Sequence, residues 1–211
     1  QILKQYSDID RFDEDISKFI LQDTKRMPPN NALLFIGSSS IRYWKSLKED
    51  MSPFQVINRG FGGAHIAHVN RHFDKIVKPY KPRGIIFFCG SNDINALKDP
   101  TDVFIEFVTF FNEVKSSFKD TKIFVIGIKP SIARHHQRKK QNIWNMAVKE
   151  MSKIEKNLYF IDVLPSMLID GQPNPKLFVQ DGLHMNEKGY EIWTNLVKPV
   201  LREHFEAVKP R

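Results

Sequence analysis

Three consecutive serines, Ser38, Ser39 and Ser40, follow an apolar stretch and a glycine in LLFIGSSSIRYW, residues 33–44. A serine hydroxyl is a weak nucleophile until a base takes its proton, and the base works best when a third group fixes its tautomer and orientation. Both partners occur together far downstream in DGLHMNEKGY, where Asp181 and His184 stand three residues apart. In a loop, that spacing lets the carboxylate reach one imidazole nitrogen while the other faces the serine. Acyl transfer also develops an oxyanion, which needs donors fixed in advance. Candidate donors are the serine's own backbone N–H, the N–H of a glycine in NRGFGGA at 58–64, and the side-chain amide of Asn92 in GSNDIN at 90–95. A serine-rich turn before a helix is otherwise an N-cap, so the three serines alone leave cap and nucleophile open.

Residues so far apart can meet only if the fold gathers them at one rim. Five short apolar segments alternate with longer helical patterns: ALLFIG at 32–37, FQVINRG at 54–60, GIIFFCG at 84–90, KIFVIGI at 122–128 and LYFIDV at 158–163. Their near-continuous apolar character is that of strands buried on both faces, and the intervals suit crossover helices, so the class is α/β with a parallel sheet. Helices are expected near 66–78, 101–118, 136–155 and 186–206. An amphipathic N-terminal helix at about 8–25 is carried by Ile9, Phe12, Ile16, Phe19 and Ile20 and closed by Pro28 and Pro29. In such sheets the ligand crevice lies outside the carboxyl ends of the strands. GSSS, NRGFGGA and GSNDIN follow strands one, two and three, and DGLH lies beyond strand five, just before the last helix.

This constellation, in this chain order, resembles the SGNH or GDSL hydrolase superfamily from about Leu33 to the last helix. Laid on the family's G-D-S block, Gly37-Ser38-Ser39 selects Ser39 as nucleophile, with Ser38 replacing the family's aspartate. The N-x-G-x-G-G stretch matches Asn58 to Gly63 and selects the Gly63 N–H. G-x-N-D matches Gly90 to Asp93 and makes Asn92 the side-chain oxyanion donor, beside the N–H of Ser39. D-x-x-H matches Asp181 to His184, the acid and the base. The resemblance implies one SGNH hydrolase domain over 1–211, a three-layer α/β/α sandwich with flavodoxin-like strand order 2-1-3-4-5. It also implies a serine esterase that works through an acyl-enzyme on Ser39, with no metal or organic cofactor. GSSSIRYW and IKPSIAR resemble a subset of the superfamily, with a looser likeness to platelet-activating-factor acetylhydrolase-like members. The expected substrate is a small-molecule, lipid or acylated-sugar ester. The alternative is a catalytically retired binding module for acylated or anionic glycans on the same fold. An ordinary α/β-hydrolase fits worse, because Ile41 stands where its G-x-S-x-G elbow needs a second glycine.

Composition narrows the remaining options. The chain has 211 residues, 41% hydrophobic content and a net charge of +8, enough apolar material for one sizeable core and a bias toward anionic partners. No apolar run approaches the ~20 residues of a membrane-spanning helix, and the sole cysteine, Cys89, permits no intrachain disulfide. The start at Gln1, without a methionine, leans toward a periplasmic or secreted location. His65, His68 and His72 have the i, i+3, i+7 spacing of a zinc-binding face, but no carboxylate completes the set and solvated or capping histidines are commoner; His65 and His68 could line the site entrance. The run RHHQRKK at 134–140 could meet phosphate or an anionic glycan, though it reads more simply as a solvated helix start. Without a nucleic-acid module, nucleic acid is not an expected partner. Asp162 is the rival triad acid, with a loop or cap contact as its commoner fate, and Asp93 is expected to brace the Asn92 loop. Tyr43 and Trp44 either pack in the core or line an acyl pocket. Ser40 is expected to start or cap the helix, which would add its positive end to the oxyanion site.

Overall fold

Each apolar segment becomes a strand: β1 is Leu33–Gly37, β2 Val56–Gly60, β3 Gly84–Phe88, β4 Lys122–Ile126 and β5 Leu158–Ile161. A computed structural model describes residues 11–205. All neighbouring strands pair in parallel, in the order β2-β1-β3-β4-β5. Side chains alternate between the faces, as a period-2 strand requires. Leu34, Ile36, Ile85, Phe87, Ile123 and Val125 enter one core. Leu33, Phe35, Ile86, Phe88, Phe124 and Ile126 enter the other. Both sets are apolar because helices cover both faces.

The first core lies under α1 (Asp13–Lys25), α4 (Ile66–Arg71), α5 (Phe73–Ile76), α7 (Pro100–Ser117) and α8 (Arg138–Ile154). On the opposite face are α2 (Ser39–Arg42), α3 (Leu47–Asp50) and α9 (Glu187–His204). The short α6 (Ser91–Asn95) follows β3 at the rim. The layers are therefore α/β/α, in the expected strand order. Burying each large apolar side chain, such as Trp193 or Phe107, contributes roughly 1.5–3 kcal/mol.

Two helical boundaries differ from the sequence expectation. The segment expected as one helix at 66–78 splits at His72, whose φ of −104° and ψ of 10° leave the helical region; Val69, Phe73 and Ile76 all reach the same core through that bend. The helix expected from 136 begins at Arg138, after a 3₁₀ turn at His135–Gln137. Of the N-terminal helix, Asp13–Lys25 is seen, and its expected beginning near Ile9 lies outside the described residues. Asp23 of α1 ties that helix to the sheet: Arg59 Nη2 donates to it at 2.5 Å and the Tyr80 hydroxyl at 2.5 Å. No helix among the described residues is long and apolar enough to cross a membrane.

Strand order determines where a crevice opens. The chain passes from β1 to β2 on one side and returns to β3 on the other, so the loops after β1 and β3 diverge from adjacent strands. Close packing of those ends demands glycine at Gly37, where φ is +141° and a Cβ would lie 1.9 Å from the Phe88 carbonyl oxygen. Ser38 N–H donates to that same carbonyl, and Phe61 N–H donates to Gly37 O, so the first three strand ends are stitched together.

Candidate active site

Ser39 is the first residue of α2 and sits at the carboxyl end of β1. Ser38, not Ser40, holds the N-cap position, in extended conformation (φ −94°, ψ −158°) and without a side-chain cap bond. The expectation that Ser40 starts or caps the helix is thus corrected: Ser40 lies inside the turn, buried, and its carbonyl accepts the Tyr190 hydroxyl of α9 at 3.0 Å. With only four residues, α2 offers its first N–H groups but little macrodipole. Asn58 braces it from β2, donating to Ile41 O at 2.7 Å and accepting from Gly60 N at 2.9 Å. Gly60 allows this approach, since a Cβ there would stand 2.3 Å from Arg42 N.

His184 Nε2 lies 3.0 Å from Ser39 Oγ, and His184 Nδ1 lies 2.5 Å from Asp181 Oδ2. The other Asp181 oxygen accepts the N–H groups of Leu183 and His184 at 2.8 and 2.9 Å. Although partial burial would raise its pKa, the hydrogen bonds from His184 and Leu183 hold the Asp181 carboxyl down at about 2. An ionised Asp181 fixes the proton on Nδ1 and leaves Nε2 free to accept from Ser39. The loop itself is pinned by Val179 N–H to His184 O at 2.9 Å and Asn186 N–H to Leu177 O at 3.0 Å. Tyr43, 44% exposed, meets the His184 ring edge-on at 5.2 Å. Trp44 instead belongs to the core, its Nε1 donating to Asp50 at 2.6 Å.

The three expected oxyanion donors are placed unequally. Asn92 lines the crevice beside Ser39 and His184; one of its amide hydrogens goes to the Ala64 carbonyl at 3.0 Å, and the amide carries a second. Ser39 N–H and Gly63 N–H donate to nothing among the described residues. Gly63 is not among the crevice walls, although its neighbour Ala64 receives Asn92.

The rival residues take structural positions. Asp162 accepts Leu164 N–H at 3.1 Å and faces Lys149 at 3.6 Å. Asp93, fully buried, accepts Ile66 N–H and Lys98 Nζ, so it links the helix after β2 to the loop after β3. Burial raises its pKa, against the pull of Lys98. His65 and His68 do not line an entrance: both are buried, and they close a reciprocal capping box at the start of α4. Burial, and then the charge of Lys98, lower the His65 pKa to about 4. His72, at the helix break, is buried with its ring 3.9 Å from Asp13. Among the described residues, no three His, Cys, Asp or Glu side chains stand close enough to share a metal ion.

Sequence reading passed over Lys129, beyond the end of β4, and met Arg134 only as the first residue of the run RHHQRKK. Both line the crevice with Ser39, Ser91 and His184. Burial, then repulsion from Arg134, brings the Lys129 ammonium down to about 7, with Asp181 opposing. The available signal was a lysine placed directly after a buried apolar strand, at its carboxyl end. A larger surface cleft beside Tyr43 and Met185 contains no member of the Ser39–His184–Asp181 set.

No curated protein matches the sequence significantly. Among solved structures, a protein of Streptococcus pneumonia provisionally described as a platelet activating factor superposes with a TM-score of 0.81 at 20% identity, covering 95% of this chain and 97% of its own. A GDSL-like lipase from Bacteroides thetaiotaomicron gives 0.79 at 17% identity, with 90% and 98% covered. A carbohydrate esterase family 3 protein from Talaromyces cellulolyticus gives 0.68 at 16%, with 84% and 100% covered. At these identities the likeness establishes the fold. The sequence model of one family spans residues 37–192, well over half of the chain and every residue of the serine, asparagine and D-x-x-H blocks. The chain belongs to the GDSL-like lipase/acylhydrolase family of hydrolases.

Proposed function

We propose that the chain is a serine esterase that cleaves carboxylic esters through an acyl-enzyme on Ser39. The observation that carries this reading is the unbroken line from Ser39 Oγ through His184 to Asp181, at 3.0 and 2.5 Å. His184 Nε2 takes the Ser39 proton as Oγ attacks the ester carbonyl, and Asp181 stabilises the imidazolium. The oxyanion is held by the N–H groups of Ser39 and Gly63 and by Asn92 Nδ2. Collapse expels the alcohol, which receives the proton from His184. Water then gives a proton to His184, attacks the acyl carbon and releases the acid, restoring Ser39. The His184 and Asp181 side chains are 28% and 46% exposed, so water has a path to the acyl-enzyme.

The crevice at Ser39 and His184 has a cavity volume of only about 10 Å³, far below the roughly 300–1,000 Å³ typical of sites for drug-sized ligands. A short acyl group, such as acetyl, fits that size better than a long chain. Structural neighbours described as an acetylxylan esterase and a carbohydrate esterase are compatible with an acetylated substrate. The test is hydrolysis of p-nitrophenyl acetate, butyrate and octanoate by wild type and Ser39→Ala. Activity that declines with chain length and vanishes in the variant is expected. Equal activity in both proteins refutes the nucleophile. Failure of a fluorophosphonate to label Ser39 in folded protein would favour the retired binding module instead.

A further inference from the structure

The crevice around Ser39 and His184 has two cations in its wall, Lys129 and Arg134. Lys129 is 4% exposed. Its ammonium donates to the Leu183 carbonyl at 2.5 Å and lies 5.2 Å from the Phe178 ring centroid. Arg134 donates through Nη1 to Ser91 Oγ at 2.8 Å, and the rest of its five-donor fork is unmatched among the described residues. Neither cation has a carboxylate within 4.0 Å among those residues. Asp181 attracts Lys129 from farther away, but its oxygens are engaged by His184 and Leu183.

Holding Lys129 out of water without an internal anion is costly, and a perturbed charge in a cleft, here beside the half-buried Arg134, is a candidate functional site. Anchoring Leu183 explains part of Lys129, and the bond to Ser91 accounts for one of the five N–H donors of Arg134. The segment bearing Arg134 is also fixed, because Ala133 N–H donates to Gly182 O at 3.1 Å within the triad loop. Of the basic run at 134–140, only Arg134 lines the crevice, whereas Arg138 turns away to the Gly171 carbonyl.

On the esterase reading of this site, on which the inference rests, we propose that the substrate ester carries a carboxylate close to its scissile bond, bound by Arg134 together with Lys129. A guanidinium fork matches a carboxylate bidentately. In a narrow, partly dry crevice the attraction is screened less than at the surface. A neutral ester leaves both cations unmet, so the pair selects among esters as well as binding them.

The test compares two matched pairs of esters in wild type, Arg134→Ala and Arg134→Lys. Phenyl acetate against para-carboxyphenyl acetate puts the carboxylate on the alcohol. The p-nitrophenyl ester of butyrate against the mono-p-nitrophenyl ester of succinate puts it on the acyl group. In at least one pair, the charged-to-neutral ratio of kcat/KM is expected to drop about tenfold or more from wild type to Arg134→Ala. Arg134→Lys should retain part of the preference, and salt should shrink it in wild type. Inherent differences in ester reactivity cancel in that comparison. Ratios identical in wild type and Arg134→Ala, including the case where both rates fall together because Arg134 serves the oxyanion, overturn the proposal.

Calorimetry with Ser39→Ala separates this inference from the esterase reading. If wild type hydrolyses no ester but Ser39→Ala binds the succinate ester more tightly than the butyrate ester, and loses that preference with Arg134→Ala added, the carboxylate site stands without the esterase. Hydrolysis of all four esters with no Arg134-dependent preference leaves the esterase and removes the site.

Discussion

His184 Nε2 stands 3.0 Å from Ser39 Oγ across 145 residues of sequence, and it is aimed there by Asp181 on the far side of the ring. Asp181→Asn keeps the size of that side chain but accepts differently, so it no longer enforces a proton on Nδ1. On the proposed mechanism, kcat for p-nitrophenyl acetate should fall by about 10⁴, whereas Ser39→Ala or His184→Ala should lower it about 10⁶-fold, a loss that adding Asp181→Asn does not multiply. Single and double variants measured by initial rates check both statements.

The Asp181 carboxyl titrates at about 2, below the ordinary 3.8. A group lowered in the folded state contributes stability that is complete above its unfolded pKa and disappears as pH falls through the folded one. The stability difference between wild type and Asp181→Asn should therefore be level above about pH 4 and change toward wild type's disadvantage between 3.8 and about 2. Urea melts across that range supply the measurement. A difference that stays level to pH 2 contradicts the assignment.

Lys129 gives the opposite sign. Its pKa falls from 10.5 to about 7 on folding, in surroundings made of the Leu183 carbonyl, the Phe178 ring, Arg134 and Asp181. Between those values the unfolded chain holds a proton that the folded chain does not, so wild-type stability rises with pH. Lys129→Met should be more stable than wild type below pH 7 and lose that advantage as pH climbs toward 10.5. Denaturant midpoints at pH 6, 8 and 10 test it.

Away from the crevice, Asp23 meets Arg59 and Tyr80 with side chains only 13% and 8% exposed for Asp23 and Arg59. Removing the anion strands a buried guanidinium. Asp23→Ala should cost about 3–5 kcal/mol of unfolding free energy, read from chemical denaturation, while Asp74→Ala, in the exposed pair with Lys78, should cost no more than about 1 kcal/mol.

Gly60 controls how closely β2 approaches the turn that carries Ser39, with room for a Cβ blocked at 2.3 Å by Arg42 N and at 2.8 Å by Ile41. Gly60→Ala should push α2 outward and displace Ser39 from His184. A shift near 1 Å at reacting atoms lowers kcat about a hundredfold; steady-state kinetics beside a thermal melt distinguish this from simple unfolding.

Strand identity was most legible in β1 and β3, which are buried on both faces and therefore wholly apolar apart from glycine, and less so in the edge strand β2, which is partly exposed and carries Asn58 and Arg59. The helix over 66–78 was less legible: its apolar spacing runs through His72, while the actual break depends on how α4 and α5 fit the sheet. Likewise, His65 and His68 have a spacing suited to metal or solvent, and only burial in the folded chain turns them into a capping box.

The sequence by itself determined the chemistry available at the rim, because serine, histidine, aspartate, asparagine and glycine have side-chain and backbone properties that no packing can supply. It also determined the parallel α/β class through apolar runs separated by crossover-length intervals. Tertiary structure alone decided that Ser38 rather than Ser40 takes the cap position, that Tyr43 touches His184 while Trp44 enters the core, and that Lys129 and Arg134 line one crevice with Ser39. Those outcomes depend on which loops the strand order brings side by side, and the distance between two loops is a property of the sheet, not of either segment.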